Sequence, residues 1–170
     1  MAKIILNGRF GGYGWSYPAL IEILERKNDV EVIRYFDHIG EHPNTKDVEV
    51  SKEEFLASKS WGKHIEYRNV NRRSWVYISA NDFEEKLRED PDAIAVLEER
   101  GKEYCSGDTS SLYVDEYDEN LFSPYVSEYD GMESLTLIPK LSEERIRSCK
   151  DVDEIVELLR NMDLFGRSAT

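Results

Sequence analysis

The sequence is poor in cysteine, with only Cys105 and Cys149 among its 170 residues. Neither belongs to a Cys-x-x-Cys pair or to a spacing with histidine that is typical of metal sites. The three histidines, His38, His42 and His64, likewise lack the cysteine or carboxylate spacing that would support a metal site. We therefore predict two reduced thiols, and neither a metal nor another cofactor.

Long apolar runs are also absent from the sequence. No window approaches the length of a membrane-spanning helix. The chain passes from Met-Ala-Lys directly into Ile-Ile-Leu, without the apolar segment of a signal peptide. We therefore expect a soluble, cytoplasmic protein that has no membrane partner.

Basic residues are scarce as well, because 22 lysines and arginines stand against 35 aspartates and glutamates, which gives a net charge of −13. This balance argues against a nucleic-acid polymer as a partner, since binding a polyanion normally requires a basic surface that displaces counterions. A small phosphorylated ligand remains compatible, because it needs only a few local arginines or backbone N–H groups.

The length of the chain fits one domain with a sizeable core. Some stretches have apolar residues at the spacing of a helix and others at the alternating spacing of a strand. Together they predict an α+β fold with a small antiparallel or mixed sheet and several helices, in a single domain over residues 1–170. A polar, turn-rich range around 37–60 is predicted as an exposed excursion. Strands are predicted at 3–6, 30–35, 112–116, 125–128 and 132–138, two shorter ones within 65–79, and helices at 16–27, 51–58, 91–104 and beyond 142.

The stretch 7–16, here called the glycine loop, reads Asn-Gly-Arg-Phe-Gly-Gly-Tyr-Gly-Trp-Ser and holds four of the ten glycines. Glycine allows close approach of the backbone to a ligand, aromatic rings stack on planar groups, and arginine binds phosphates or carboxylates. This combination suits a nucleotide-like ligand. The alternative is a tight turn between strand and helix whose aromatic side chains pack into the core.

The glycine loop matches neither of two common nucleotide-binding motifs, the Walker A motif and the dinucleotide-binding motif. No lysine followed by serine or threonine stands where a Walker A loop requires it, and the pattern G-x-G-x-x-G, begun at Gly12 and Gly14, meets Tyr17 at its third glycine position. A loop at the N-terminus of a helix still favours an anion.

A second candidate for phosphate binding is the cluster formed by Arg68, Arg72 and Arg73, the densest group of positive charge in the chain. It could neutralise ligand phosphates, or it could form a hairpin turn paired with surface carboxylates.

No nucleophile and base have the spacing of a known catalytic arrangement. We therefore predict a binding protein and not an enzyme.

Three segments of the sequence are informative together: the glycine loop, Arg88-Glu89-Asp90-Pro91 with Ile94, Val96, Glu98, Glu99 and Gly101 after it, and Glu128-Tyr129-Asp130-Gly131-Met132-Glu133. In this order they resemble a family of small bacteriophage proteins, the phage Thoeris anti-defence sponges of the first-described type. In that family the first segment reads Asn-Gly-Cys-Tyr-Gly-Gly-Phe-Gly-Leu-Ser, so this chain departs from it where Arg9 replaces cysteine and Trp15 replaces leucine, which leaves the preferred ligand open.

The resemblance implies a non-catalytic homo-oligomer in the cytoplasm of an infected bacterial host cell. Such a protein would capture a cyclic ADP-ribose-type signal, such as 1″–3′ glycocyclic ADP-ribose, and in some members cyclic oligonucleotides at separate sites. A protein–protein inhibitor of a host defence protein is the alternative, followed by a nucleotide-processing enzyme. The predicted ligand-binding residues are Phe10, Tyr13 and Trp15 for stacking, Arg9, Arg72, Arg73 and Arg88 for phosphate contact, and Asn7, Asp130 and Glu133 for polar recognition.

Overall fold

Antiparallel pairing joins the strands of the computed structural model, which describes residues 1–40, 44–60, 62–71, 74–78, 84–140 and 143–161. Within these ranges β1 pairs with β6, β7 pairs with β8, and a four-stranded sheet has the order β3-β2-β4-β5. The strands are β1 Ala2–Asn7, β2 Val30–Ile39, β3 Lys46–Val50, β4 His64–Asn69, β5 Val76–Ile78, β6 Leu112–Tyr117, β7 Phe122–Tyr129 and β8 Met132–Pro139.

Along the chain the helices are interspersed with the strands. Because the described strands pair antiparallel, the fold is α+β. The helices are α1 Tyr17–Arg26, α2 Lys52–Ala57, α3 Glu84–Leu87, α4 Pro91–Arg100, α5 Lys102–Cys105, α6 Glu143–Ser148 and α7 Val152–Asn161. Side-chain caps define four N-termini among the described helices, because Ser16, Ser51, Asp90 and Asp151 each accept a hydrogen bond from a backbone N–H of the first turn.

The main core lies between α1, α4 and the inner face of the four-stranded sheet. The apolar side of α1 is fully buried there, with Leu20, Ile23 and Leu24 at 1% exposure or less. A second, smaller cluster forms where Ile4, Leu6 and Tyr117 pack against β7 and β8. The β1–β6 pair thus contributes to both clusters and holds the start of the glycine loop in place.

Most predicted elements are confirmed, including α1 with its Ser16 cap, α2, β1, β6, and the two strands β7 and β8 around the turn at 129–131. The helix predicted over 91–104 is wrong at Gly101, where φ is +80° and the chain breaks into α4 and α5. Within the range 37–60, β3 pairs with β2, and α2 places Phe55 in the core at 0% exposure.

The two cysteines lie in different environments, although neither forms a disulfide. Cys105 is fully buried, and burial raises the pKa of its thiol to about 11, whereas Cys149 is partly exposed. Because only an accessible thiolate reacts, we expect Ellman's reagent at pH 8 to modify one thiol in the native protein and two in denaturant. Rapid modification of both thiols in the native protein would contradict this placement of Cys105.

Candidate functional site

The glycine loop connects β1 to α1 and is enclosed on two sides by chain segments distant in sequence. On one side lies the segment 106–111, where the Gly107 N–H donates to the carbonyl of Gly14 at 2.9 Å and the Gly8 N–H donates to the carbonyl of Ser111 at 2.9 Å. On the other side lies the β7–β8 turn, where the Gly11 N–H donates to the carbonyl of Asp130 at 3.1 Å. The loop is therefore a braced structure with fixed backbone contacts.

Asn7 is the residue that joins these two sides. Its side-chain amide donates to the carbonyls of Arg9 at 2.7 Å and Gly131 at 2.6 Å, and its side-chain oxygen accepts from the Ser111 N–H at 2.8 Å. The residue is 0% exposed. An amide is needed here because a carboxylate could accept from Ser111 but could not donate to the two carbonyls.

Arg88 and Glu133 form a buried ion pair beneath the loop. Their side chains meet through two parallel bonds, Nη1 to Oε2 at 2.7 Å and Nη2 to Oε1 at 2.5 Å, with side-chain exposures of 18% and 4%. Glu133 also accepts from the backbone N–H of Asn7 at 2.9 Å, and Arg88 donates to the carbonyl of Ile5 at 3.2 Å. The Asn7–Arg88–Glu133 cluster thus ties together all three segments of the sequence resemblance.

The closest backbone approach in the site is between Gly131 and Gly12. Gly131 has φ of +84°, and a Cβ built on it would lie 2.0 Å from the nitrogen of Gly12. Only glycine can occupy this position, because both the conformation and the available space exclude a side chain. The turn and the loop therefore pack backbone against backbone.

Two of the three loop aromatics lie in the core. Tyr13 is 8% and Trp15 2% exposed, and the Trp15 indole N–H donates to the Tyr13 hydroxyl at 3.2 Å. The Arg88 guanidinium carbon lies 4.2 Å from the centre of the Tyr13 ring, a cation–π contact. In this structure, Tyr13, Trp15 and the Asn7–Arg88–Glu133 cluster contact one another or the core and form the base of the loop.

The other predicted residues of the loop and the turn face solvent. Phe10 is 54% exposed, and its ring meets the ring of Tyr129 edge to face, with centroids 6.5 Å apart. Arg9 and Asp130 are also exposed. The Arg9 guanidinium reaches the carbonyl of Asp108 at 3.4 Å. Predicted residues Arg72 and Arg73, together with His42, lie outside the described residues.

A cleft of about 640 Å³ opens where the glycine loop enters α1. It is lined by the first turn of α1 on one side and by the segment that carries Lys59 and Lys63 on the other, with Asp108 at its edge. Two lysines and one aspartate line the cleft, and the Asp37 carboxylate, which is hydrogen-bonded to Ser58 and Ser60, offsets the charge of Lys63, so Lys59 is the lysine whose charge is not balanced in this way. The partial positive charge at the N-terminus of α1 adds to it.

Lys63 is the more buried of the two cleft lysines. Its ammonium donates to the carbonyls of Phe55 at 3.0 Å and Ser58 at 2.7 Å, and it lies 5.1 Å from the centre of the Tyr17 ring. Burial lowers its pKa below the ordinary value for lysine. Lys59 is exposed and lines the cleft.

Sequence reasoning did not identify Lys59, Lys63 or Asp108 as part of a site. They lie far from the glycine loop in sequence, and their positions depend on how α2 and the segment 106–111 pack. The Ser-Gly-Asp-Thr-Ser-Ser composition of 106–111 predicts a loop. No local signal in it indicates that this loop docks against Gly14 and Trp15.

Two further findings concern metals and membranes. In the described part of the chain, no group of three or more His, Cys, Asp and Glu side chains is arranged to hold a metal ion. No helix in the same ranges is both long and apolar enough to span a bilayer. His38 contacts Asp47 at 2.8 Å, and His64 is buried in a stack with Phe36.

Comparison of the chain with protein-family models, with curated proteins and with solved structures finds no match. The geometry and charge of the cleft and of the exposed part of the glycine loop are therefore the basis for assigning a function.

Proposed function

We propose that this protein binds and sequesters a cyclic ADP-ribose-type or cyclic nucleotide signal without cleaving it, as a phage anti-defence sponge. The observation that carries the proposal is the cleft at the N-terminus of α1, which the glycine loop borders and which the exposed Lys59 lines. Its volume of about 640 Å³ falls within the range of about 300 to 1,000 Å³ that is common for small-molecule sites. A nucleotide signal of this class has the size and the negative charge that the cleft suits.

The expected contacts of the ligand follow from the side chains that are exposed in the cleft and on the glycine loop. Its pyrophosphate would lie in the cleft, where Lys59 and the first turn of α1 supply positive charge. Arg9 would add a third positive group, because its guanidinium already lies at Asp108 on the edge of the cleft. Phe10, the next residue in the chain, offers an exposed ring for stacking on a base.

The thiol of Cys105 is not available as a nucleophile toward a ligand in the cleft. Cys105 is 0% exposed, and its raised pKa, about 11, keeps it as a neutral thiol at physiological pH. A neutral buried thiol does not attack a ligand in the cleft. The proposal includes self-association of the chain and action in the cytoplasm of the infected cell, where the signal is made.

The test is calorimetric titration with 1″–3′ glycocyclic ADP-ribose. We expect saturable binding by the native protein, and a loss of affinity of about tenfold or more for Lys59→Ala and for Arg9→Ala, because each removes a charged donor. Lys46→Ala removes the same charge from an exposed position on β3 and should bind like the native protein. Absence of binding, or equal losses in all three variants, would contradict the proposal.

A further inference from the structure

Asn7-Gly8, at the start of the glycine loop, is the only asparagine–glycine pair in the chain. Such pairs deamidate faster than other asparagine sites, because glycine has no side chain to hinder attack by its backbone nitrogen on the preceding side-chain amide. We propose that Asn7 is a latent deamidation site. It is closed while the loop is docked, that is, bonded to the segment 106–111 and to the β7–β8 turn, and it reacts when the loop undocks.

The reaction joins two neighbouring groups of the same chain. The backbone nitrogen of Gly8 loses its proton to hydroxide and forms a bond to the side-chain amide carbon of Asn7. The bond from that carbon to Nδ2 breaks, and ammonia leaves with a proton taken from water. Water then opens the resulting succinimide ring to aspartate or isoaspartate, which takes the net charge from −13 to −14.

The docked loop restrains the attacking nitrogen. The Gly8 N–H donates to the carbonyl of Ser111 at 2.9 Å, so the nitrogen cannot turn toward the Asn7 side chain without breaking this bond. Amide protons held in such bonds are lost to solvent only when the structure opens locally. Loss of this proton is also the first step of deamidation, so the same opening limits both processes.

The side-chain amide of Asn7 is restrained as well. Its nitrogen donates to the carbonyls of Arg9 and Gly131, and its oxygen accepts from the Ser111 N–H, all at 2.6 to 2.8 Å. The residue is 0% exposed. Attack would make the planar amide carbon tetrahedral and would disrupt these bonds inside a buried site, where lost hydrogen bonds are costly. The docked state therefore opposes the reaction at both of the reacting groups.

The product cannot restore the docked state. A carboxylate accepts hydrogen bonds but cannot donate them to the carbonyls of Arg9 and Gly131. The new charge would be buried on the residue whose backbone N–H already binds the Glu133 carboxylate, and burial of an unpaired charge is costly. Isoaspartate also lengthens the backbone. Deamidation thus converts a reversible opening of the loop into a permanent one.

This inference goes beyond nucleotide binding and does not depend on it. Deamidation is measured without added ligand, so a cleft that binds no nucleotide would leave the inference standing. Conversely, an Asn7 that behaves otherwise than described would leave the sponge proposal untouched.

The experiment follows deamidation at Asn7 by peptide mass spectrometry during incubation of the full chain in mildly alkaline buffer. We expect the native protein to react at least about a hundredfold more slowly than the chain in guanidinium chloride, because only opened molecules react. Gly131→Ala, whose Cβ collides with the backbone of Gly12, should react at least about tenfold faster than the native sequence. Gly101→Ala, at a similar φ but without a collision, should stay within about twofold.

Gly8→Ala tests the chemistry without disturbing the fold. Its Cβ would meet the Tyr113 ring at 3.4 Å, with no nearer atom, but it crowds the reacting nitrogen, so deamidation at Asn7 in guanidinium chloride should slow about tenfold or more. Asn120, which is exposed and followed by Leu121, is an internal control and should react more slowly than Asn7 in guanidinium chloride.

Asn7→Asp places the product in the chain directly. Hydrogen exchange at the Gly11 amide should accelerate about tenfold or more, while protected amides of β4 show that the variant is folded. Four results would each overturn the inference: equal rates in native and denatured protein, no more acceleration in Gly131→Ala than in Gly101→Ala, undiminished reaction in Gly8→Ala, or unchanged exchange at Gly11 in Asn7→Asp.

Discussion

Arg88→Met is expected to destabilise the fold by about 3 to 5 kcal/mol. The substitution leaves the Glu133 carboxylate, which is 4% exposed, without its guanidinium partner. A buried charge that loses its ionic partner keeps its desolvation cost, and the one remaining bond from the Asn7 N–H offsets only part of it. Urea unfolding followed by circular dichroism should show the loss as a lower midpoint.

Two further variants test whether the destabilisation comes from the unpaired Glu133 carboxylate and not from the removal of an arginine in general. Arg26 forms ion pairs with Glu22 and Glu99, each at 2.7 Å, near the surface, and Arg26→Met should cost about 1 kcal/mol or less. Adding Glu133→Gln to Arg88→Met removes the unpaired charge but keeps an oxygen for the Asn7 N–H, so stability should partly recover. Equal effects of Arg88→Met and Arg26→Met would refute the buried pair.

Gly131→Ala is expected to separate the glycine loop from the β7–β8 turn. The new Cβ would lie 2.0 Å from the nitrogen of Gly12, and alanine is strained at φ of +84°. The backbone must move, which breaks the bonds from Asn7 to Gly131 and from Gly11 to Asp130. Hydrogen exchange should accelerate at the Gly11 amide while amides of β4 stay protected.

Gly101→Ala is the matched control, because Gly101 has nearly the same φ, +80°, and the nearest atom to its Cβ is 3.9 Å away. This variant bears the cost of the positive φ without the collision. We expect about 3 kcal/mol or more of destabilisation for Gly131→Ala and about 1 to 2 kcal/mol for Gly101→Ala. Unchanged exchange at Gly11 in Gly131→Ala would show that the two segments are not packed as described.

Local signals in the sequence were sufficient for the elements whose determinants lie close together. Ser16, Pro18 and the apolar positions after them define α1 within one stretch of chain, and the capping box of Ser51 and Glu54 defines α2. The Tyr-Asp-Gly turn between β7 and β8 is local in the same way. Gly101 was misread because a glycine in a helical pattern is compatible with both a helix interior and a break.

Pairing between distant segments could not be predicted in this way. β1 pairs with β6, more than a hundred residues later, and no local pattern specifies that partner. The different burial of the loop aromatics has the same origin. Tyr13 is buried where Arg88 and Trp15 pack against it, whereas Phe10 is exposed and meets the exposed ring of Tyr129. The residues predicted to bind the ligand therefore include a buried group beneath the glycine loop and an exposed group on its surface.

Sequence identified the glycine loop and the residues that pack beneath it, but not the lysines that line the cleft. The glycine loop, Arg88 and Glu133 were identified from sequence, and the structure brings them together. Their mutual bonds give them a role in holding the loop, which sequence alone could not separate from ligand contact. Lys59 and Lys63 line the cleft because α2, through Phe55, packs against Tyr17 at the start of α1.

The most direct measurement for the sponge proposal is mass spectrometry of the small molecule released by heat after the protein has been incubated with 1″–3′ glycocyclic ADP-ribose and freed of unbound ligand. Capture without turnover predicts recovery of the unmodified signal in an amount proportional to the protein. Recovery of a linear or hydrolysed product, or of no nucleotide at all, would contradict it.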